Sequence, residues 1–164
     1  MKHKRRQTMK MTMCHANPNG TGTALRLELH PARPDVDGSI LATIAPQRSP
    51  TSSAPYPSMD WDNAIAVRLG FMDLAKILQV FRGHVESIDD GKGLFFRTAK
   101  GCKAVRLAHR IEPVCGYVLD VSHKPNGGET VCMRFEITYD EAFALSEAIG
   151  HAMLYVSFGL PIAE

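Results

Sequence analysis

Ile65-Ala66-Val67-Arg68-Leu69-Gly70 alternates apolar and polar residues, and Phe71-Met72-Asp73-Leu74-Ala75-Lys76-Ile77-Leu78-Gln79-Val80-Phe81 does not. A period of two marks a half-buried strand, and a period near 3.6 marks an amphipathic helix. In the second stretch Phe71, Leu74, Ala75, Leu78 and Phe81 recur at helical spacing. Gly70 marks the change of period, and Gly83 supplies a stop. The fold turns on this junction, because the chain makes it twice. Phe135-Glu136-Ile137 alternates, Thr138 is a ready N-cap with Glu141 three residues on, and Ala142, Leu145, Ile149, Ala152, Met153 and Val156 form a second apolar stripe. Gly159-Leu160-Pro161 ends that helix.

Strand signals precede each junction. In the first half they are Ala24 to His30, Ser39 to Ala45 and Ile65 to Leu69. A Pro/Ser-rich loop from Pro46 to Pro57 separates the last two and stands where a further strand would complete a set of four. In the second half they are Gly93 to Thr98, Lys103 to Ile111, Gly116 to His123 and Thr130 to Ile137. Pro125-Asn126-Gly127-Gly128 is a hairpin turn between the last two. The expected class is α+β: two repeats (23–84 and 92–160), each an antiparallel β-sheet plus a helix, within one domain over 23–164. Residues 1–22 are expected to be a disordered basic N-terminal arm. Lys2, Lys4, Arg5, Arg6 and Lys10 lie there, and no acidic residue occurs before Glu28. Met9, Met11 and Met13 read as alternative starts.

Composition sets the outer limits. The 164 residues suffice for one core, and 45% hydrophobic with 22% charged residues is ordinary for a globular protein. No apolar run approaches the roughly 20 residues of a membrane span, and the basic start leads into polar residues, not into a secretory signal. The expectation is a cytoplasmic protein, with an organellar matrix as the alternative. Cys14, Cys102, Cys115 and Cys132 contain no C-x-x-C pair, so free thiols, buried or half-buried, are expected in place of a zinc site. The histidines are scattered over different elements. Asp89-Asp90-Gly91-Lys92-Gly93 has the spacing of neither a P-loop nor an EF-hand. No catalytic constellation, metal site or cofactor motif is legible, and the expectation is a protein that is not an enzyme.

A net charge of +2 is too small to point to nucleic acid, but the distribution does. Lys92, Arg97, Lys100, Lys103, Arg106 and Arg110 occur in one stretch without an acidic residue, interleaved with Phe95 and Phe96. Cations for phosphates and flat faces for bases are what an unpaired strand requires. Arg106 and Arg110 share a strand face with Ala104 and Ala108 between them, which leaves a shallow floor; a plain solvated face is the alternative. Phe95 shares the face of Arg97 and is the better stacking candidate of the two phenylalanines. Trp61 serves either as a platform for a base or as an anchor for its loop. Arg26 and Arg68 take outward slots in the first half and extend the path.

The same junctions resemble the Whirly family of single-stranded DNA-binding proteins. Met59-Asp60-Trp61 followed by Asn63 to Gly70 and a helix is similar to that family's Tyr-Asp-Trp segment. Phe135 to Phe143 is similar to its closing strand and helix start, and Lys103 to Leu107 with Gly116 to Val121 to its paired strands. The family's Lys-Gly-Lys-Ala-Ala-Leu motif stands here as Thr21-Gly22-Thr23-Ala24-Leu25, without the two lysines. The likeness spans roughly residues 20 to 160. It implies a Whirly-like fold with two sheets projecting from a two-helix core, and a homo-oligomer, a tetramer, joined through helices. It also implies single-stranded DNA lying across the sheets in replication, recombination or repair. Related kinetoplastid mitochondrial proteins make RNA the alternative ligand, and a protein–protein scaffold is the reading from outside nucleic-acid binding.

Overall fold

A computed structural model describes residues 9–48, 56–113 and 115–160. The elements are β1 (Met9–His15), β2 (Thr23–His30), β3 (Ser39–Pro46), β4 (Ile65–Leu69), α1 (Phe71–Phe81), β5 (Leu94–Thr98), β6 (Gly101–Arg110), β7 (Gly116–Pro125), β8 (Val131–Ile137) and α2 (Tyr139–Phe158). They form two four-stranded antiparallel sheets in simple sequential order, β1-β2-β3-β4 and β5-β6-β7-β8, each followed by its helix. The expected α+β repeat is the observed one.

The first repeat holds one strand more than the sequence reading assigns to it. Met9–His15 is not part of a disordered arm; it pairs with β2 from Met9 opposite Leu29 to His15 opposite Thr23. Met11 and Met13 turn inward onto the core while Lys10, Thr12 and Cys14 face out. Two of the methionines that read as alternative starts, Met11 and Met13, are thus inward positions of an alternating strand, while Met9 at its beginning is exposed. β1, not the Pro/Ser loop, is the missing fourth strand, and residues 49–55 of that loop lie outside the described residues, as do Lys2, Lys4, Arg5 and Arg6.

β1 is also tied to the far end of the chain. The His15 ring stacks on Phe135 with centroids 4.3 Å apart, and its Nε2 lies 2.6 Å from Glu141 Oε1. Glu141 in turn accepts from the Thr138 backbone N–H at 2.9 Å, while Thr138 Oγ1 accepts from the Glu141 N–H at 3.3 Å. The capping box legible in the sequence therefore starts α2 and fastens β1 to it. Burial alone favours the protonated carboxyl of Glu141, but the Thr138 and His15 contacts outweigh it and hold its pKa below the usual carboxylate range.

The core lies between the inner sheet faces and the two helices. Leu25, Ile44, Val67, Leu107, Phe135, Leu145 and Ile149 are all buried in it. α1 buries Leu74, Ile77, Leu78 and Val80. Phe71, expected on the inward stripe, is instead exposed at the first turn, because the stripe is set by Leu74, Ile77 and Leu78 one turn on. α2 buries Ala142, Leu145, Ser146, Ile149 and Val156. Ile111, the last residue of the strand expected from Lys103, lies beyond the observed one: β6 ends at Arg110 and Ile111 is exposed.

Two hydrogen bonds join the sheets directly. Lys103 Nζ donates to the Ala66 carbonyl of β4 at 2.6 Å, and Thr23 Oγ1 donates to the Arg134 carbonyl of β8 at 2.9 Å. At the start of β7, Gly116 has φ 147°, and a side chain there would run into the Ile137 carbonyl. Only glycine accepts both constraints.

Candidate nucleic-acid interface

The antiparallel register converts the alternation of β5 to β8 into rows across the outer face. Arg97 lies opposite Cys102, and Cys102 opposite Lys124. The next row is Phe95, Ala104, Ser122 and Cys132; then come Arg106, Asp120 and Arg134, and then Ala108, Val118 and Glu136. Arg110 and Gly116 close the series. Side chains two apart on a strand are about 7 Å apart, so Arg106 and Arg110 are about 13 Å from each other along β6.

Phe95 is 68% exposed beside small neighbours, whereas Phe96 turns inward and packs on the core. A large aromatic left open on a sheet face, next to arginines and a floor of Ala104 and Ser122, is a geometry suited to base stacking. Lys100 sits in the β5–β6 turn, fully on the surface, and Lys92 is exposed just ahead of β5.

The face is not uniformly cationic. Asp120 takes a two-point contact from Arg134, 2.8 Å from Nε and 2.9 Å from a terminal nitrogen. That hydrogen bond, reinforced by the charge attraction, raises the Arg134 pKa further and removes both groups from any net field. Among the described residues no ion pair engages Arg97, Arg106, Arg110 or Lys124. The free positive charge therefore runs along β5 and β6 to Lys124 near the end of β7, and β8 contributes the carboxylate of Glu136, which is in no ion pair among the described residues.

Lys103 does not belong to that face. It has the parity of Val105 and Leu107, and its ammonium is spent on the Ala66 carbonyl between the sheets. Its place in the basic stretch is positional only.

On the first sheet the outward rows are Lys10, Glu28, Leu41 and Arg68, then Thr12, Arg26, Thr43 and Ala66. Arg68 is exposed and donates to Ser39 Oγ at 2.7 Å. Arg26 lies under Trp61, its guanidinium carbon 3.6 Å from the ring centroid. A single 3-10 turn, Trp61–Asn63, carries the indole. Asn63 Nδ2 donates to Asp60 Oδ2 at 2.7 Å, and the Asp60 N–H donates to the Pro46 carbonyl at 2.8 Å. The Asn63 side-chain bond is the main reason that the Asp60 carboxyl pKa is lowered, with a further contribution from Arg48. One face of the indole is thus covered by arginine, on a turn fixed at both ends.

The expected path therefore splits into two surfaces. Phe95, Arg97, Lys100, Arg106, Arg110 and Lys92 gather on the second sheet, and Arg26, Trp61 and Arg68 on the first. Sequence reasoning missed Lys124, because the strand was ended at His123 and β7 runs to Pro125. It missed Lys10 with the rest of β1. The cysteines were expected to be buried or half-buried, yet all four are exposed; Cys14, Cys102 and Cys132 occupy outward strand positions. Among the described residues no group of His, Cys, Asp or Glu side chains converges as a metal site, and no helix is long and apolar enough to cross a membrane.

No protein-family model matches the chain, and no curated protein sequence does. Solved structures do match. WHY1 from Arabidopsis thaliana superposes with a TM-score of 0.71 at 16% identity, over 93% of this chain and 87% of that one. WHY3 from the same plant gives 0.71 at 15%, over 92% and 89%. The plant transcriptional regulator PBF-2 gives 0.68 at 14%, over 92% and 83%. Identities this low speak for backbone architecture, and on that ground the chain has the Whirly fold.

Proposed function

We propose that this protein binds single-stranded DNA without catalysing a reaction, and that the outer face of β5 to β8 is the principal surface. The carrying observation is the exposed Phe95 on the same outer face as Arg97, Arg106, Arg110 and Lys124, none of these cations in an ion pair among the described residues. Stacking on an aromatic tolerates any base, and phosphate contacts carry no sequence information, so binding is largely sequence-independent. Sharing a fold with WHY1, WHY3 and PBF-2, the last a plant transcriptional regulator, supports the reading. Replication, recombination or repair is the setting in which such binding serves, in the cytoplasm or an organellar matrix.

We further propose that copies of this chain associate through α2 into a homotetramer. Tyr139, Phe143, Leu154 and Phe158 fall on one outward stripe of the helix, with Phe143 71% and Phe158 84% exposed. Met72 and Phe71 at the start of α1 are exposed as well. An apolar stripe whose charged members are Asp140 and Glu147 repels a polyanion and suits a second helix.

The test is a titration of labelled oligonucleotides. Unpaired DNA should bind tightly, duplex of the same sequence weakly, and a matched RNA strand less tightly than DNA. Equal affinity for single and double strands contradicts the proposal, and preference for RNA moves it to RNA, whose 2′-OH a dedicated site would contact.

A further inference from the structure

Beside the exposed face described above lies a depression of about 220 Å³, walled by Ser87, Ile88 and Gly91 and by Glu112-Pro113. Its floor is Ala108 and Val118, which lie opposite each other, with Glu136 next in the same row. Arg106, Asp120 and Arg134 border one side and Arg110 the other. The first of these walls is held by pairing along the edge of β6: Ser87 bridges to Ala108, and the His109 N–H donates to the Glu86 carbonyl at 2.8 Å. The volume is far above what a single water fills and below the roughly 300–1,000 Å³ of pockets for drug-sized ligands. One flat heterocycle fits that range.

The lining chemistry narrows the ligand. A phosphate suits Arg106 and Arg110 but not the carboxylates of Glu112 and Glu136, which no ion pair among the described residues neutralises. A group that offers acceptors to an arginine fork and donors to a carboxylate satisfies both. Guanine does so on adjoining edges: O6 and N7 accept from an arginine, and N1–H with the N2 amino group forms a donor pair that matches a carboxylate's two oxygens. An apolar floor of Ala108 and Val118 meets the ring face.

We propose that this depression is a guanine-binding pocket, in which an unstacked guanine of the bound strand lies on Val118 with Glu136 on its N1–H/N2 edge and Arg110 on its O6/N7 edge. The inference rests on the single-strand reading above and refines it: one position of an otherwise tolerant site prefers one base. Asp120 is committed to Arg134 and forms a wall; of the two lining carboxylates outside any ion pair among the described residues, Glu136 is the one in the same strand row as Ala108 and Val118, and it is assigned as the reader.

The experiment uses the full chain and oligothymidylates carrying one central substitution, followed by fluorescence anisotropy. A central guanine should bind at least roughly fivefold tighter than adenine, cytosine or hypoxanthine, which lacks the N2 amino group, consistent with the worth of one bidentate pair. Glu136→Gln should bring that ratio to near one. Binding of all strands alike by the unaltered protein overturns the pocket while leaving strand binding intact. Retention of the guanine ratio in Glu136→Gln overturns the assigned reader and with it the proposal. If no strand binds, the single-strand reading fails, and the pocket is then judged by adding deoxyguanosine or deoxyadenosine while the Ala108 and Val118 methyl resonances are recorded. Shifts with deoxyguanosine alone support the pocket, and equal or absent shifts end it.

Discussion

The guanidinium of Arg26 packs 3.6 Å from the centroid of the Trp61 ring, so a strand residue and a loop residue form one flat cationic–aromatic unit on the first sheet. Arg26 Nε is buried without a hydrogen-bond partner among the described residues, so the contact with the indole is its chief compensation. Trp61 is the only tryptophan in the chain, and its emission reports on this unit alone. Adding an unpaired oligothymidylate should quench that emission, and Trp61→Ala should weaken binding by about 1–3 kcal/mol, the worth of one stacked base. Unchanged emission at saturation removes the first sheet from the binding surface.

Arg97 and Arg106 belong to outward rows on either side of the Phe95 row and carry no ion pair among the described residues. Replacing both by alanine should lower affinity and reduce the log–log salt slope by about 1.4, the amount for two phosphate contacts on a single strand. The melting temperature should stay within error, because both side chains face solvent. A lost affinity with an unchanged slope argues that the arginines act on something other than phosphates.

Lys103 should behave oppositely. Its bond to the Ala66 carbonyl joins the sheets, and hydrogen bonds involving a charged group are worth about 1.5–3 kcal/mol. Lys103→Met should therefore lower stability to denaturant by an amount of that order, while the affinity of the folded protein for a strand is kept. A variant of full stability and lost affinity would return Lys103 to the interface.

Acid should loosen the junction of β1 with α2. The Glu141 pKa is lowered in the fold, so the unfolded chain binds the proton more readily. The stabilisation is present above the unfolded glutamate pKa of about 4.3 and is lost as pH falls through the lower folded value. Urea midpoints measured from pH 6 downward should drop in that window, and Glu141→Gln should flatten the profile there. A profile with the same drop in both proteins assigns the acid sensitivity elsewhere.

Phe143→Asp with Phe158→Asp should convert the assembly to a smaller species in light scattering, since both rings stand on the open stripe of α2. Leu145→Ala, by contrast, removes a buried side chain and should cost about 2–5 kcal/mol of stability. A monomer before any substitution contradicts the proposed association.

The strand-to-helix junctions were legible because local signals agree there: alternation, a period change at Gly70, and the Thr138–Glu141 box. β1 was not, because Met9, Met11 and Met13 are unbranched residues with weak strand signal, and the inward direction of Met11 and Met13 shows only once β2 supplies a partner. The outward slots of Arg97, Arg106 and Arg110 followed from parity. That Lys103 spends its charge between sheets, and that Arg26 is capped by Trp61, depends on how the halves meet and on where the Trp61–Asn63 turn sits. No periodicity carries that information. The depression next to Val118 was likewise invisible, since its walls come from three strands and two loops.

Where the strand lies can be read by ultraviolet crosslinking of an oligothymidylate to the full chain, followed by peptide mapping. Crosslinks at Phe95, Cys102, Cys132 and Trp61, all on the outer sheet faces or the turn above them, are the predicted result. Crosslinks confined to α2, at Phe143 or Phe158, would contradict a strand running over the sheets.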